Sequence, residues 1–134
     1  MRPLLTIVFA LGFGVLAATA QTFTTIEGVI ADQLQAFNDR DLDRAFGHAS
    51  PMIQRLFGGP ENFGIMVERA YPMVWDNRNA RFLQQREEAG SVFQSVLIEG
   101  ASGGSYVLVY KMIQTPDGWL IDGVDFGSAP DLSA

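Results

Sequence analysis

Apolar residues recur along this chain with two different periods, and the change falls near residue 80. Before that point they recur at intervals of three and four, the spacing that places side chains on one face of an α-helix. After it they recur at every second position, as they do in a β-strand. The pattern therefore predicts a helical first half and a strand-rich second half.

The first predicted helix has an apolar stripe in which Gln33 is the one polar member. Thr24 and Glu27 have the spacing of a capping box at its start. The stripe consists of Ile26, Val29, Ile30, Leu34 and Phe37. This pattern predicts an amphipathic helix that ends at the polar pair Asn38 and Asp39.

Three shorter helices are predicted to follow. Asp41 is a suitable N-cap for the second, and Ser50 followed by Pro51 is a typical start for the third. Pro60 begins the fourth, which Pro72 closes because the residue before a proline disfavours helical dihedrals.

The second half predicts four strands with turn-rich links between them. The links read EAG, GASGG and TPDG, and the last of them places Gly118 where a hairpin needs a positive φ. Links this short join antiparallel strands. The predicted strands are 80–87, 92–99, 105–114 and 119–126. The expected fold class is α+β, with N-terminal helices packed on a curved antiparallel β-sheet.

The third predicted strand is apolar on both faces. One face carries Tyr106, Leu108, Tyr110 and Met112, and the other carries Val107, Val109 and Ile113 beside Lys111. One interpretation has helices covering one face while the other lines a cavity or meets a second subunit. The alternative is a strand buried within a small core, and periodicity does not separate the two.

The N-terminus has the three parts of a secretory signal peptide. Arg2 provides the positive charge, residues 4–16 form an uncharged apolar run, and Ala18 and Ala20 are the small residues at the cleavage positions. We expect cleavage after Ala20 and a mature chain that begins at Gln21; the alternative is an uncleaved membrane anchor. The expected organisation is a signal peptide over 1–20, one domain over 21–126 and a flexible tail over 127–134, in a protein of the periplasm or the secreted fraction.

Composition excludes several classes of protein. With 15 acidic and 9 basic residues in 134, the net charge of −6 argues against electrostatic binding of nucleic acid. The absence of cysteine excludes disulfides, thiolate catalysis, cysteine-ligated metals and a lipid-anchored N-terminus. A second apolar stretch of membrane-spanning length is absent, so we expect no membrane association after cleavage.

Two resemblances follow from these segments. IEGVIADQLQAFNDRDLDRAF, followed by a strand pattern that ends in TPDGWLIDGVDF, resembles the nuclear-transport-factor-2-like (SnoaL-like) cone fold. The segments VIADQLQAF, FGHASPMIQRLFGGPENFGIMV and YPMVW resemble an uncharacterised family of small exported bacterial proteins. The cone superfamily includes isomerases, dehydratases, cyclases, epoxide hydrolases and non-catalytic binding domains, which use a pocket between sheet and helices. The sets of catalytic residues in that superfamily cannot be matched residue by residue to positions of this sequence.

Aromatic residues in and just before the strand half are the candidate ligand pocket. Buried Tyr and Trp need partners for their polar atoms and therefore often border a pocket. The alternative is ordinary core packing. The candidates are Tyr71, Trp75, Phe82, Phe93, Tyr106, Tyr110 and Trp119.

Candidate acid–base chemistry rests on Asp122 or Asp125 as a base and Tyr106 or Tyr110 as a proton donor. The two carboxylates are three residues apart, so they face opposite sides of a regular strand unless a bulge at Gly123 intervenes. This hypothesis requires a buried Asp beside a Tyr hydroxyl in an open cavity.

Other polar residues are interpreted as structural. Asp39, Asp41 and Asp43 imitate the opening of a calcium loop, but Arg44 and Ser50 occupy the positions of its essential Gly and Glu. We therefore expect helix-capping roles for the acidic residues and no metal site.

His48 is the single histidine, with no identified partner for catalysis. Arg78 and Arg81 are expected in solvent, with an anion clamp as the alternative. The sequence also lacks a phosphate loop, a dinucleotide fingerprint and a metalloprotease motif, so no cofactor is expected.

Three functions remain open. The first is non-catalytic binding of a small apolar or amphipathic ligand, or of a protein partner, between sheet and helices. The second is an acid–base lyase, isomerase or hydrolase. The third is a homodimer formed through the sheet.

Overall fold

The computed structural model describes residues 25–128. Within this range five helices precede four strands, in the order α1 (Ile26–Asn38), α2 (Leu42–Gly47), α3 (Pro51–Phe57), α4 (Pro60–Ala70), α5 (Pro72–Trp75), β1 (Asn77–Glu88), β2 (Ser91–Gly100), β3 (Ser105–Thr115) and β4 (Gly118–Phe126). The fold class is α+β, as predicted. The signal peptide, Thr24 and residues 129–134 of the predicted tail lie outside the described residues.

The helix boundaries follow the capping residues closely. Asp41 and Ser50 cap α2 and α3 by accepting backbone N–H groups, as predicted, and Gly58 ends α3 with a φ of 81°. The cap of α1 is Thr25, whose Oγ1 accepts from the Gly28 N–H at 2.9 Å. The prediction of Thr24 at this position was wrong by one residue.

Pro72 both follows one helix and begins another. Helix α4 ends at Ala70, and Pro72 is the first residue of the short helix α5, which the sequence analysis missed. Proline suits a first helical turn because its missing N–H would have no partner there. Helix α5 packs against β1 and β2 and directs the chain into the sheet.

The sheet is an antiparallel meander with strand order β1-β2-β3-β4, as the short links predicted. Gly118 has a φ of 101° at the last hairpin. The first hairpin has positive φ at both Ala89 (53°) and Gly90 (85°), as a two-residue type I′ turn requires. Gly127 donates to the Val107 carbonyl at 2.8 Å, so strand pairing continues one residue into the predicted tail.

Two irregularities interrupt the sheet register. In β1 the register shifts between Phe82 and Gln85, where the buried Gln94 of β2 donates to the Leu83 carbonyl at 3.1 Å. In β4, Ile121 pairs with Met112 while Gly123 pairs with the preceding residue of β3, which makes Asp122 an extra residue. Extra residues of this kind bend a strand and increase its twist.

The core lies between the helices and one face of the sheet. On β3 this face carries Leu108, Tyr110 and Met112, which join the helical side chains in one cluster. The opposite face carries Val107 and Val109, and neither belongs to that cluster. In the part of the chain described, no helix is long and apolar enough to cross a membrane.

Candidate functional site

A cavity of about 250 Å³ lies between the helices and the core face of the sheet. The sequence analysis considered a pocket between sheet and helices, and also a cavity on the sheet face away from the helices; this cavity lies on the helix side. It is lined by Gln33, Phe37, Ala49, Ile53, Leu56, Phe57, Phe63, Met66, Val67, Tyr71, Val74, Tyr110, Ile121, Gly123 and Val124. Leu56 is 68% exposed, so the cavity meets solvent beside α3.

The lining is almost entirely apolar, and its few polar side chains are uncharged. Gln33 donates from Nε2 to the Ala45 carbonyl at 3.0 Å, which ties α1 to α2. Tyr71 donates to the Val124 carbonyl at 2.8 Å, which ties the end of α4 to β4. Among residues 25–128, no Asp, Glu, Lys, Arg or His lines this cavity.

Tyr110 differs from the other polar lining residues. Its side chain is 1% exposed, and its hydroxyl makes no hydrogen bond to any residue of the described range. Burial raises the pKa of Tyr110, and the nearby Tyr71 raises it further. The pKa of Tyr71 is itself raised, first by burial and then by Asp125. Both phenols are therefore protonated hydrogen-bond donors at neutral pH.

Two of the seven predicted pocket aromatics line the cavity, namely Tyr71 and Tyr110. The other five lie elsewhere and are Trp75, Phe82, Phe93, Tyr106 and Trp119. Phe82 and Trp119 pack at the margin of the core. A strand period identifies a face but does not show how far along that face a cavity extends, so the sequence alone does not separate these five from the two that line this cavity.

Trp75 also packs at the margin of the core, whereas Phe93 and Tyr106 have different surroundings. The guanidinium of Arg40 stacks on Trp75 at 4.0 Å, and that of Arg86 on Phe93 at 4.6 Å. Tyr106 is 40% exposed. Phe93 pairs with Lys111 and so lies on the sheet face away from the helices.

The sequence analysis missed the contribution of the helices to this cavity. Phe37, Phe57 and Phe63 come from α1, α3 and α4, and their rings lie 5.8–5.9 Å apart around Phe63. The signal that identifies this side is the single polar residue Gln33 in the apolar stripe of α1. A buried amide in such a stripe needs a partner, and it lines the cavity here.

The four candidate acid–base residues do not come together. Asp122 accepts from the Ser50 hydroxyl at 2.7 Å and lies 3.5 Å from Lys111 Nζ, on the side of β3 away from Tyr110. Asp125 is exposed. The extra residue in β4 is Asp122, beside the predicted position Gly123, and Asp122 does not line the cavity.

His48 has a carboxylate partner that the sequence did not identify. Its Nε2 lies 2.7 Å from Oδ2 of Asp32, and the Arg44 guanidinium holds both oxygens of the same carboxylate. Hydrogen bonding to Arg44 is the largest cause of a lowered pKa at Asp32, and His48 contributes as well. The cluster fastens α1 to α2 outside the cavity lining.

The remaining charged candidates lie at the surface. Asp39 and Asp43 are exposed, and Asp41 caps α2. Among residues 25–128, no group of three or more His or acidic side chains is placed to hold a metal ion. Arg78 and Arg81 are exposed on β1.

These features define an α+β protein with an uncharged apolar cavity between its helices and an open antiparallel sheet. The chain belongs to a family described as a domain of unknown function (DUF4864), which it matches over residues 19–134. No curated protein matches it. The fold is similar to the solution structure of a SEC-C motif containing protein from Rhodopseudomonas palustris, at 13% identity and a TM-score of 0.58 over 77% of this chain and 79% of that one.

Proposed function

We propose that this protein is a binding domain that takes a small apolar or amphipathic molecule, or an apolar side chain of a protein partner, into the cavity between its helices and sheet. The observation that carries the proposal is a cavity lined by apolar side chains and open beside Leu56. Ligand sites in proteins are concave, largely apolar and provided with a few oriented polar groups.

Binding accounts for this cavity better than acid–base turnover does. A general base must lie within hydrogen-bond reach of the proton that it removes. Asp122 is engaged by Ser50 and Lys111, and Asp125 lies in solvent, so neither carboxylate faces the cavity. Of the four candidate residues, only Tyr110 lines the cavity, so a proton donor is present there without a base.

The proposal extends to location and fold superfamily. The charged, apolar and small-residue parts of the N-terminus support export and cleavage after Ala20. The intact mass of the protein, purified from the periplasm of its own host, tests this cleavage. A mass equal to that of the uncleaved chain would contradict it. The helical first half, the bent meander and the cavity between them support membership of the nuclear-transport-factor-2-like cone superfamily.

Native mass spectrometry of protein purified from its own host is the first test of binding. An additional non-protein mass supports an occupied cavity. The second test is an NMR titration with ethylbenzene, in which we expect shifts at the amides of Phe37, Val67 and Tyr110.

A cavity-filling variant provides the control for this titration. Ala49 lines the cavity and is 1% exposed, so Ala49→Leu places three additional carbons in the space. It should abolish the ethylbenzene shifts, while the exposed α1 substitution Ala31→Leu should leave them unchanged. If ethylbenzene produces no shifts and no additional mass is found, the small-molecule proposal fails, and a pull-down from the periplasm then tests a protein partner.

A second candidate function is a homodimer formed through the other face of the sheet. The supporting observation is that this face carries apolar residues outside the helix-packed core, among them Leu97, Val107 and Val109. Sedimentation at micromolar concentration tests it: a monomer contradicts the dimer, and a dimer lost on Val109→Glu supports it.

A further inference from the structure

The unpartnered hydroxyl of Tyr110 restricts what the cavity can bind. A buried polar group without a hydrogen bond is disfavoured by about 1–3 kcal/mol. Gln33 also lines this cavity, and its Nε2 is engaged by Ala45 while its Oε1 has no partner among residues 25–128. Two lining residues therefore carry a buried polar atom without a partner, in a cavity that is mostly apolar.

Because the lining is uncharged, it restricts which polar groups of a ligand can bind beside Tyr110 and Gln33. An anion in this cavity would meet no cationic side chain of the described range. Burying an unpaired charge in such surroundings is strongly unfavourable. A neutral acceptor oxygen, in contrast, receives the Tyr110 proton without introducing a charge.

The volume limits the size of the ligand. A dry apolar cavity of about 150 Å³ is sufficient for benzene. At about 250 Å³, this cavity accommodates one ring with a short substituent, or two small fused rings.

We propose, on the basis of the function proposed above, that the cavity selects an uncharged ring-sized ligand whose ketone, ester or ether oxygen accepts a hydrogen bond from the Tyr110 hydroxyl. The ring occupies the space among the helical phenylalanines. The rest of the ligand extends to the solvent-exposed opening of the cavity beside Leu56.

Three probes of nearly equal shape test this proposal by NMR titration: acetophenone, ethylbenzene and benzoate. Acetophenone presents a neutral carbonyl, ethylbenzene lacks an acceptor, and benzoate carries a charge. One hydrogen bond corresponds to a preference of about three- to tenfold for acetophenone over ethylbenzene. Benzoate should bind at least about 100-fold more weakly than acetophenone, because its charge is not compensated.

Two tyrosine variants assign the preference to one hydroxyl. Tyr110→Phe should bind acetophenone and ethylbenzene equally, and its melting temperature should not fall, because the deleted hydroxyl has no partner. Tyr106→Phe is the matched control: Tyr106 is 40% exposed and does not line the cavity, so this variant should retain both the melting temperature and the preference for acetophenone.

The outcomes separate this inference from the function on which it rests. If wild-type protein binds ethylbenzene as tightly as acetophenone, or if Tyr110→Phe keeps the preference, the assigned hydrogen bond is wrong while apolar binding stands. Benzoate binding as tight as that of acetophenone overturns the requirement for a neutral ligand. If none of the three probes binds, the small-molecule part of the proposed function fails and the inference fails with it.

Discussion

At the scale of single residues, a few turn positions have backbone dihedrals that most residues disfavour. Ala89 has a φ of 53°, in the left-handed region where a Cβ is disfavoured. Ala89→Gly should therefore raise the free energy of unfolding by about 0.5–1 kcal/mol. The same change at the exposed helical Ala31 should lower it by about 1 kcal/mol, because glycine has poor helix propensity. Urea denaturation measures both, and a loss of stability at Ala89 would contradict the strain argument.

A second residue-scale prediction concerns pH. Hydrogen bonding to Arg44, followed by His48, lowers the pKa of Asp32 below its ordinary 3.8. A lowered folded-state pKa gives a stabilisation that is present above about pH 4 and is lost as the pH falls through the folded pKa. Asp32→Ala should therefore lower the free energy of unfolding by about 2 kcal/mol at pH 7, and by less at pH 3.

Asp39 is the control for this prediction, because it pairs with the same Arg44 at 3.3 Å but is exposed. Asp39→Ala should change the free energy of unfolding by less than about 1 kcal/mol at either pH. Equal effects at the two aspartates, measured by denaturation across pH 3–7, would contradict the assigned role of Asp32.

At the scale of elements, Ser50 joins α3 to the free edge of β4. Its hydroxyl accepts from the Ile53 N–H at 3.3 Å and donates to Asp122 at 2.7 Å, and its own N–H donates to the Ile121 carbonyl. Ser50→Ala removes both hydroxyl bonds at a fully buried position. We expect a loss of about 2–3 kcal/mol in the free energy of unfolding.

The cap of the neighbouring helix is the matched comparison. Asp41 caps α2 through the Arg44 N–H at 3.2 Å, and it is exposed and makes no corresponding bond to the sheet among the described residues. Asp41→Ala should lower the free energy of unfolding by about 1 kcal/mol. If Ser50→Ala has no larger effect than this, the bond to Asp122 does not stabilise the junction.

At the scale of the whole molecule, the cavity destabilises the folded state. An unfilled apolar volume disfavours the folded state by about 24 cal/mol per Å³. Ala49→Leu should therefore raise the free energy of unfolding by about 1 kcal/mol while it blocks the cavity. Ala36 is equally buried but does not line the cavity, so Ala36→Leu should lower stability by about 1–3 kcal/mol through overpacking. Thermal denaturation distinguishes the two, and destabilisation by Ala49→Leu would indicate that no usable space exists at that position.

The sequence by itself determined the local structure. Caps at Asp41 and Ser50, the prolines at helix starts and Gly118 act within a few residues of where they stand, so α1–α4, the four strands and the antiparallel order were predictable from spacing. The missed helix α5 is a single turn, too short to show a period.

Only the tertiary structure decided the site. Whether an aromatic lines a cavity depends on side chains far away in sequence, and so Tyr71 and Tyr110 were separated from the other five candidates only once α1, α3 and α4 were packed on the sheet. The same holds for Asp122, the extra residue of β4, whose carboxylate accepts from the Ser50 hydroxyl far away in sequence. Periodicity specifies which face of an element is apolar; three-dimensional packing specifies what that face contacts and where it leaves space.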